Sequence, residues 1–128
     1  MFKQIIHTDQ APAAVGPYSQ AVVAPEGRTI YLSGQIGLEP GTGDLVSENF
    51  EGQVRQSFAN MQAVIEAAGG TLENIVKLTL YLTDLSKFAS ANAIMADIIP
   101  QPFPARSTVG VDSLPKGAQF EVEAIIVV

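Results

Sequence analysis

The sequence predicts an α+β fold, with six extended segments and two amphipathic helices in the order β-β-β-α-β-α-β-β. Three patterns carry that reading. Phe50, Val54, Phe58, Met61, Ile65 and Ala68 recur at steps of four and three, which is one face of a helix. Val76, Leu78, Leu80 and Leu82 alternate with Lys77, Thr79 and Tyr81, which is a strand with two unlike faces. Phe120, Val122, Ala124 and Ile126 alternate in the same way with Gln119, Glu121, Glu123 and Ile125.

Taken in order, residues 3–6 fit a short edge strand, and residues 8–18 form a Pro- and Gly-rich loop ending in Gly16-Pro17-Tyr18. Residues 19–24 and 28–36 read as strands joined by a hairpin turn at Pro25-Glu26-Gly27. Residues 37–46 are a loop around Pro40-Gly41-Thr42-Gly43-Asp44. Ser47 or Asn49 caps the first helix, Glu48 and Glu51 suit its positive end, and Gly69-Gly70 stops it. A strand over 74–82 follows, then Asp84 or Ser86 caps a second helix carrying Phe88, Ala91, Ile94, Met95 and Ile98 on one stripe. Pro100, Pro102 and Pro104 end it. Residues 105–111 and 118–127 are the last strands, with the turn at Lys116-Gly117.

Right-handed βαβ crossovers place both helices on one face of the sheet. The other face is left open, and covering it calls for another copy of the chain, packed sheet to sheet.

At 128 residues, 47% hydrophobic and 16% charged, the chain is expected to form one domain with a substantial core. The net charge of −6 opposes binding to nucleic acid, which rests on a basic field, and opposes an anionic membrane surface. With no cysteine there is no disulfide, thiol nucleophile or thiolate metal site. Met1-Phe2-Lys3-Gln4-Ile5-Ile6-His7 lacks the apolar core of a secretion signal, and no apolar run reaches the ~18 residues of a membrane span, so a cytoplasmic protein is expected.

The residue that most constrains function is Arg106, set in the segment Phe103-Pro104-Ala105-Arg106-Ser107-Thr108-Val109-Gly110-Val111. A guanidinium keeps its charge inside a protein, so it needs an anion, supplied by a protein carboxylate or by a ligand. Arg106 and Thr108 share a face of their strand. The short connection to the last strand allows the two to be neighbours, with Arg106 and Glu121 on one side. Glu121 then either neutralises Arg106 or, with a ligand carboxylate on the arginine, orients or activates water. Glu123 shares that face and is a second candidate partner. Tyr18 is either a lid on the core or a phenol lining a pocket, and Gly34 marks either a bend or a close backbone approach to a ligand. The glycine-rich stretches lack P-loop spacing, His7 with Asp9 does not make a triad, and no His/Asp/Glu cluster has metal-ligand spacing. Neither metal nor cofactor is expected.

Four ordered motifs, Gly16-Pro17-Tyr18-Ser19-Gln20-Ala21, Ser33-Gly34-Gln35, Phe103-Pro104-Ala105-Arg106-Ser107 and Phe120-Glu121-Val122-Glu123-Ala124, resemble the Rid (YjgF-type) family of reactive-intermediate deaminases, RidA-type subgroup. The resemblance spans essentially the whole chain. It implies a chorismate-mutase-like fold, a six-stranded mixed sheet with two helices on one face, and a homotrimer whose sheets form a central barrel with clefts between subunits. It also implies hydrolysis of 2-enamino and 2-imino acids, such as 2-iminopropanoate and 2-iminobutanoate, to 2-keto acids and ammonia without a cofactor. By motif, Arg106 binds the substrate carboxylate, Glu121 handles the attacking water, Tyr18 lines the pocket, and main chain near Gly34 and Thr108 contacts the ligand. Many relatives carry cysteine where this chain has Thr108. The other readings are a keto-acid or amino-acid binding protein without turnover, and a ribonuclease or translation inhibitor, which the acidic charge opposes.

Overall fold

The computed structural model describes residues 3–128; Met1 and Phe2, which open the segment read as lacking a signal core, lie outside them. The element order is the expected one: β1 (Gln4–Ile6), β2 (Ala21–Val23), β3 (Thr29–Ile36), α1 (Phe50–Ala67), β4 (Ile75–Leu82), α2 (Phe88–Ile98), β5 (Ala105–Gly110) and β6 (Phe120–Val127).

The strands do not form one six-stranded sheet. They form a four-stranded mixed sheet in the order β3-β6-β4-β5 and a separate ribbon, β1-β2. The hairpin expected at Pro25-Glu26-Gly27 is absent, because the partners are taken elsewhere. Arg28 exchanges both backbone hydrogen bonds with Val128, at 2.7 and 3.0 Å, extending the β3-β6 pair. β2 pairs with β1 instead, and just before it Ser19 is tied to Pro104 at the head of β5. Buried Lys3 holds the start of β4 by donating from Nζ to the carbonyls of Ile75 at 2.8 Å and Glu73 at 3.3 Å. Burial pulls the pKa of this ammonium down, with the charge of Glu73 opposing.

α1 forms where the stripe predicts it. Asn49 is its N-cap, accepting from the Gly52 N–H at 2.9 Å, and Gly69 beyond its end takes φ +88°, a conformation open to glycine. Neither Asp84 nor Ser86 caps α2: Asp84 accepts from the Ser86 N–H at 3.0 Å and caps a separate short turn, Leu85–Lys87, and α2 starts after Lys87 with no side-chain cap. The core lies between the helices and the face of the sheet carrying Leu78, Leu80, Leu82, Phe120, Val122 and Ile126. The Phe120 ring packs against Phe58 at 5.8 Å and meets Phe50 edge-on at 6.2 Å. One alternation is broken: a register shift at the start of β4 buries Ile75 fully and leaves Val76 half-buried.

The opposite face carries Lys77, Thr79 and Tyr81 from β4 with Glu121 and Glu123 from β6, all half-buried, and Tyr31 from β3, which is 76% exposed.

Candidate functional site

Two of the sequence motifs meet at Arg106. The loop before β2 is held by Gln20, which accepts from the Thr8 N–H at 2.7 Å and donates to the Pro12 carbonyl at 2.7 Å. Ser19 fastens that loop to the lead-in of β5, its hydroxyl donating to the Phe103 carbonyl at 2.6 Å and its N–H to the Pro104 carbonyl at 2.9 Å. The Tyr18 ring is thereby laid on the guanidinium, with the Arg106 Cζ 4.8 Å from the ring centroid. Phe88 of α2 lies at 5.4 Å from the same carbon. Arg106 Nη1 donates to the Asn92 Oδ1 at 2.5 Å and lies 3.7 Å from the Met95 sulfur.

No carboxylate is among these partners; among the described residues Arg55 pairs with Asp97, and His7 meets Asp9 at hydrogen-bond distance, 3.1 Å. Burial pulls the Arg106 pKa down from its ordinary value, partly opposed by Tyr18. A half-buried cation of this kind is a strong site for an anion from outside the chain. It opens onto a cavity of about 240 Å³ lined by Val15, Tyr18, Phe88, Arg106 and Thr108. The Thr108 Oγ1 is buried and has no hydrogen-bond partner.

Glu121 is not there. β4 separates β5 from β6, so the expected adjacency of the two strands is absent. The register places Arg106 opposite Leu78 and Glu121 opposite Tyr81. Leu78 points into the core and Tyr81 away from it, so Arg106 lies on the helix side of the sheet and Glu121 on the open side. Glu123 does not pair with Arg106 either; its carboxylate accepts a hydrogen bond from the Tyr81 hydroxyl.

Gly34 belongs with Glu121. β3 shifts register between Leu32 and Gln35, and a Cβ on Gly34 would stand 2.0 Å from the Glu121 Oε2. The glycine thus gives room to a carboxylate of this chain. Burial, and then the charge of Glu123, push the Glu121 pKa up from the usual carboxylate value.

Phe88 and Asn92 were not singled out as site residues by the sequence, though they stand four apart on α2 and so share a face. An amide inside an otherwise apolar stripe was the available signal.

The α+β scaffold thus presents a guanidinium beside two aromatic rings with no carboxylate partner of its own. Residues 8–128 match the family described as Endoribonuclease L-PSP, and the chain belongs to this family, the Rid family. It is 44% identical to the 2-iminobutanoate/2-iminopropanoate deaminase of Dermatophagoides farinae, over 98% of this chain and 97% of that protein. The human protein of the same name is 42% identical, over 99% of this chain and 91% of its own length. The crystal structure of RidA from the Antarctic bacterium Psychrobacter sp. PAMC 21119 superposes with a TM-score of 0.77 at 48% identity, covering 98% of this chain and 99% of that one. No helix among the described residues is long and apolar enough to cross a membrane.

Proposed function

We propose that this chain is a 2-iminobutanoate/2-iminopropanoate deaminase, hydrolysing 2-imino acids and their enamine tautomers to 2-keto acids and ammonia. The observation that carries this reading is the Arg106 guanidinium, which faces a cavity without a protein carboxylate to neutralise it. The substrate carboxylate takes that place in a bidentate pair. Tyr18 and Phe88 lie against the guanidinium, main chain at Thr108 contacts the ligand from the same chain, and main chain at Gly34 contacts it from the copy that supplies Glu121.

The chemistry is addition of water to the C=N carbon. Glu121 takes a proton from the attacking water as the C–O bond forms and the C=N π bond opens, and returns that proton to the nitrogen to give a carbinolamine. Glu121 then takes the hydroxyl proton as the carbonyl forms and delivers it to the nitrogen as the C–N bond breaks, releasing ammonia. A carboxyl with a raised pKa suits both accepting and returning a proton. The reaction proceeds in water unaided, so anchoring and one positioned water carry much of the rate gain.

Arg106 and Glu121 serve one substrate only if they come from different copies, since they face opposite ways in one chain. The geometry asks only for more than one copy; the family resemblance implies the number, and on it we assign the active form as a homotrimer with its open sheet faces packed inward as a barrel and three sites between subunits. RNA cleavage has no support in the site: the one histidine, His7, is exposed beside Asp9, and the net charge is −6. The test is a coupled assay in which a serine or threonine dehydratase generates the imine and keto-acid formation is followed. Wild-type protein accelerates it and Arg106→Ala does not; equal rates with both proteins would refute the assignment.

A further inference from the structure

On the open face, two carboxylates stand on one strand two residues apart, a separation of roughly 7 Å. Both Glu121 and Glu123 are half-buried, and their environments differ. Glu123 accepts a hydrogen bond from the Tyr81 hydroxyl. No hydrogen bond among the described residues involves the Glu121 carboxylate, which lies over the bare backbone of Gly34. Tyr81 is directly across from Glu121 in the ladder and Thr79 directly across from Glu123, so the phenol reaches diagonally past its own partner to the second acid.

We propose that Tyr81 is a positioning residue for the imine hydrolysis: by holding Glu123 it leaves Glu121 as the one carboxylate free to handle water. The proposal rests on the reading of Glu121 given above. Without the phenol, Glu123 would be free to turn toward the same water and toward the protonating nitrogen, competing with Glu121. The hydrogen bond also disperses part of the Glu123 charge, which is one of the two causes that raise the Glu121 pKa. Tyr81 is suited to remain the donor, because the bond to Glu123 pushes its phenol pKa above the ordinary value of 10.0. The other titratable groups this chain presents on this face are Lys77, which lies 3.5 Å from the Ser107 hydroxyl, and Tyr31; in the proposed assembly Arg106 of a neighbouring copy stands across the substrate from Glu121. Neither Lys77 nor Tyr31 is bonded to Glu121 or Glu123.

The experiment combines kinetics with a titration that does not depend on turnover. Tyr81→Phe is expected to lower kcat by about three- to tenfold with KM within about twofold, because the Arg106 anchor is untouched. The acid limb of its kcat profile moves to higher pH, as does the Glu121 carboxyl midpoint followed by carbon NMR in substrate-free protein. In a Glu123→Ala background, Tyr81→Phe changes neither quantity further, since its action runs through Glu123. The same loss in both backgrounds, or an unchanged Glu121 midpoint and kcat in Tyr81→Phe, would overturn the proposal. If wild-type protein fails to accelerate imine loss, the assigned reaction falls, and the NMR titration still decides whether Tyr81 controls Glu121.

Discussion

Glu121 lies across Gly34 so closely that a methyl group on the glycine would stand 2.0 Å from Oε2 and 2.7 Å from Cδ. The strand bulge and the acid are therefore one device. Gly34→Ala displaces the carboxylate, whose flexible end yields more readily than the backbone. We expect kcat to fall by at least about tenfold, with the melting temperature changed by no more than about 2 °C. Steady-state kinetics and thermal unfolding of the same preparation check this; full kcat in Gly34→Ala would mean that the position of Glu121 is not used.

The separation of Arg106 and Glu121 on two faces of one sheet predicts complementation. In the proposed homotrimer, the Arg106→Ala and Glu121→Ala proteins are each expected to be inactive. Unfolded together in equal amounts and refolded, they form mixed trimers in which some sites receive arginine from one chain and glutamate from another. Random assortment gives about a quarter of wild-type activity. Activity no higher than that of the parent variants would place both groups of each site in one chain.

Thr108 presents a different case. Its hydroxyl is buried without a partner, which costs stability, while valine keeps the shape. Thr108→Val should therefore raise stability by about 1 kcal/mol in chemical denaturation. Since the contact assigned to this position is made by main chain, kcat/KM should stay within about twofold of wild type. A loss of stability would indicate that the hydroxyl is bonded in the assembled protein.

Glu121 also couples activity to stability through pH. Its folded-state pKa is raised, so folding favours the protonated form. The stability it contributes is present below the usual carboxylate value and is lost as pH rises through the raised one. Glu121→Gln keeps the uncharged form at every pH. The variant should melt about 1–3 °C above wild type at pH 7, a small gain because the group is partly exposed and screened. The difference should vanish in acid, near and below pH 4.5. Melting curves across that range, with no gain at neutral pH, would contradict the raised pKa.

Much of this molecule is legible in its sequence because the period of its apolar residues is set by local geometry. The α1 stripe buries Phe50, Val54, Phe58, Met61 and Ile65, and the alternation of β6 buries Phe120, Val122, Ala124 and Ile126. Asn49 was legible as a cap because a short polar side chain can accept from a first turn, whereas Asp84 caps only the turn before α2 and α2 itself has no side-chain cap. What eluded the sequence is relational. Whether Arg106 and Glu121 share a face depends on β4 lying between their strands and on two registers, neither of which leaves a local trace. A three-residue strand such as β2 has too few hydrogen bonds to announce its partner, and the end of β6 took the place expected for it beside β3. Asn92 reads as an interruption of an apolar stripe until the guanidinium beneath it is seen.

The division of Arg106 and Glu121 between two faces has a consequence for how the protein enters service. On the proposed assembly, a newly synthesised chain would carry a cation without its acid and an acid without its cation, and would be catalytically silent until it met others of its kind. Subunit encounter would then act as the switch, and output would rise more steeply than gene dosage at low abundance. A damaged copy would do harm twice, failing at its own arginine and depriving a sound neighbour of its glutamate.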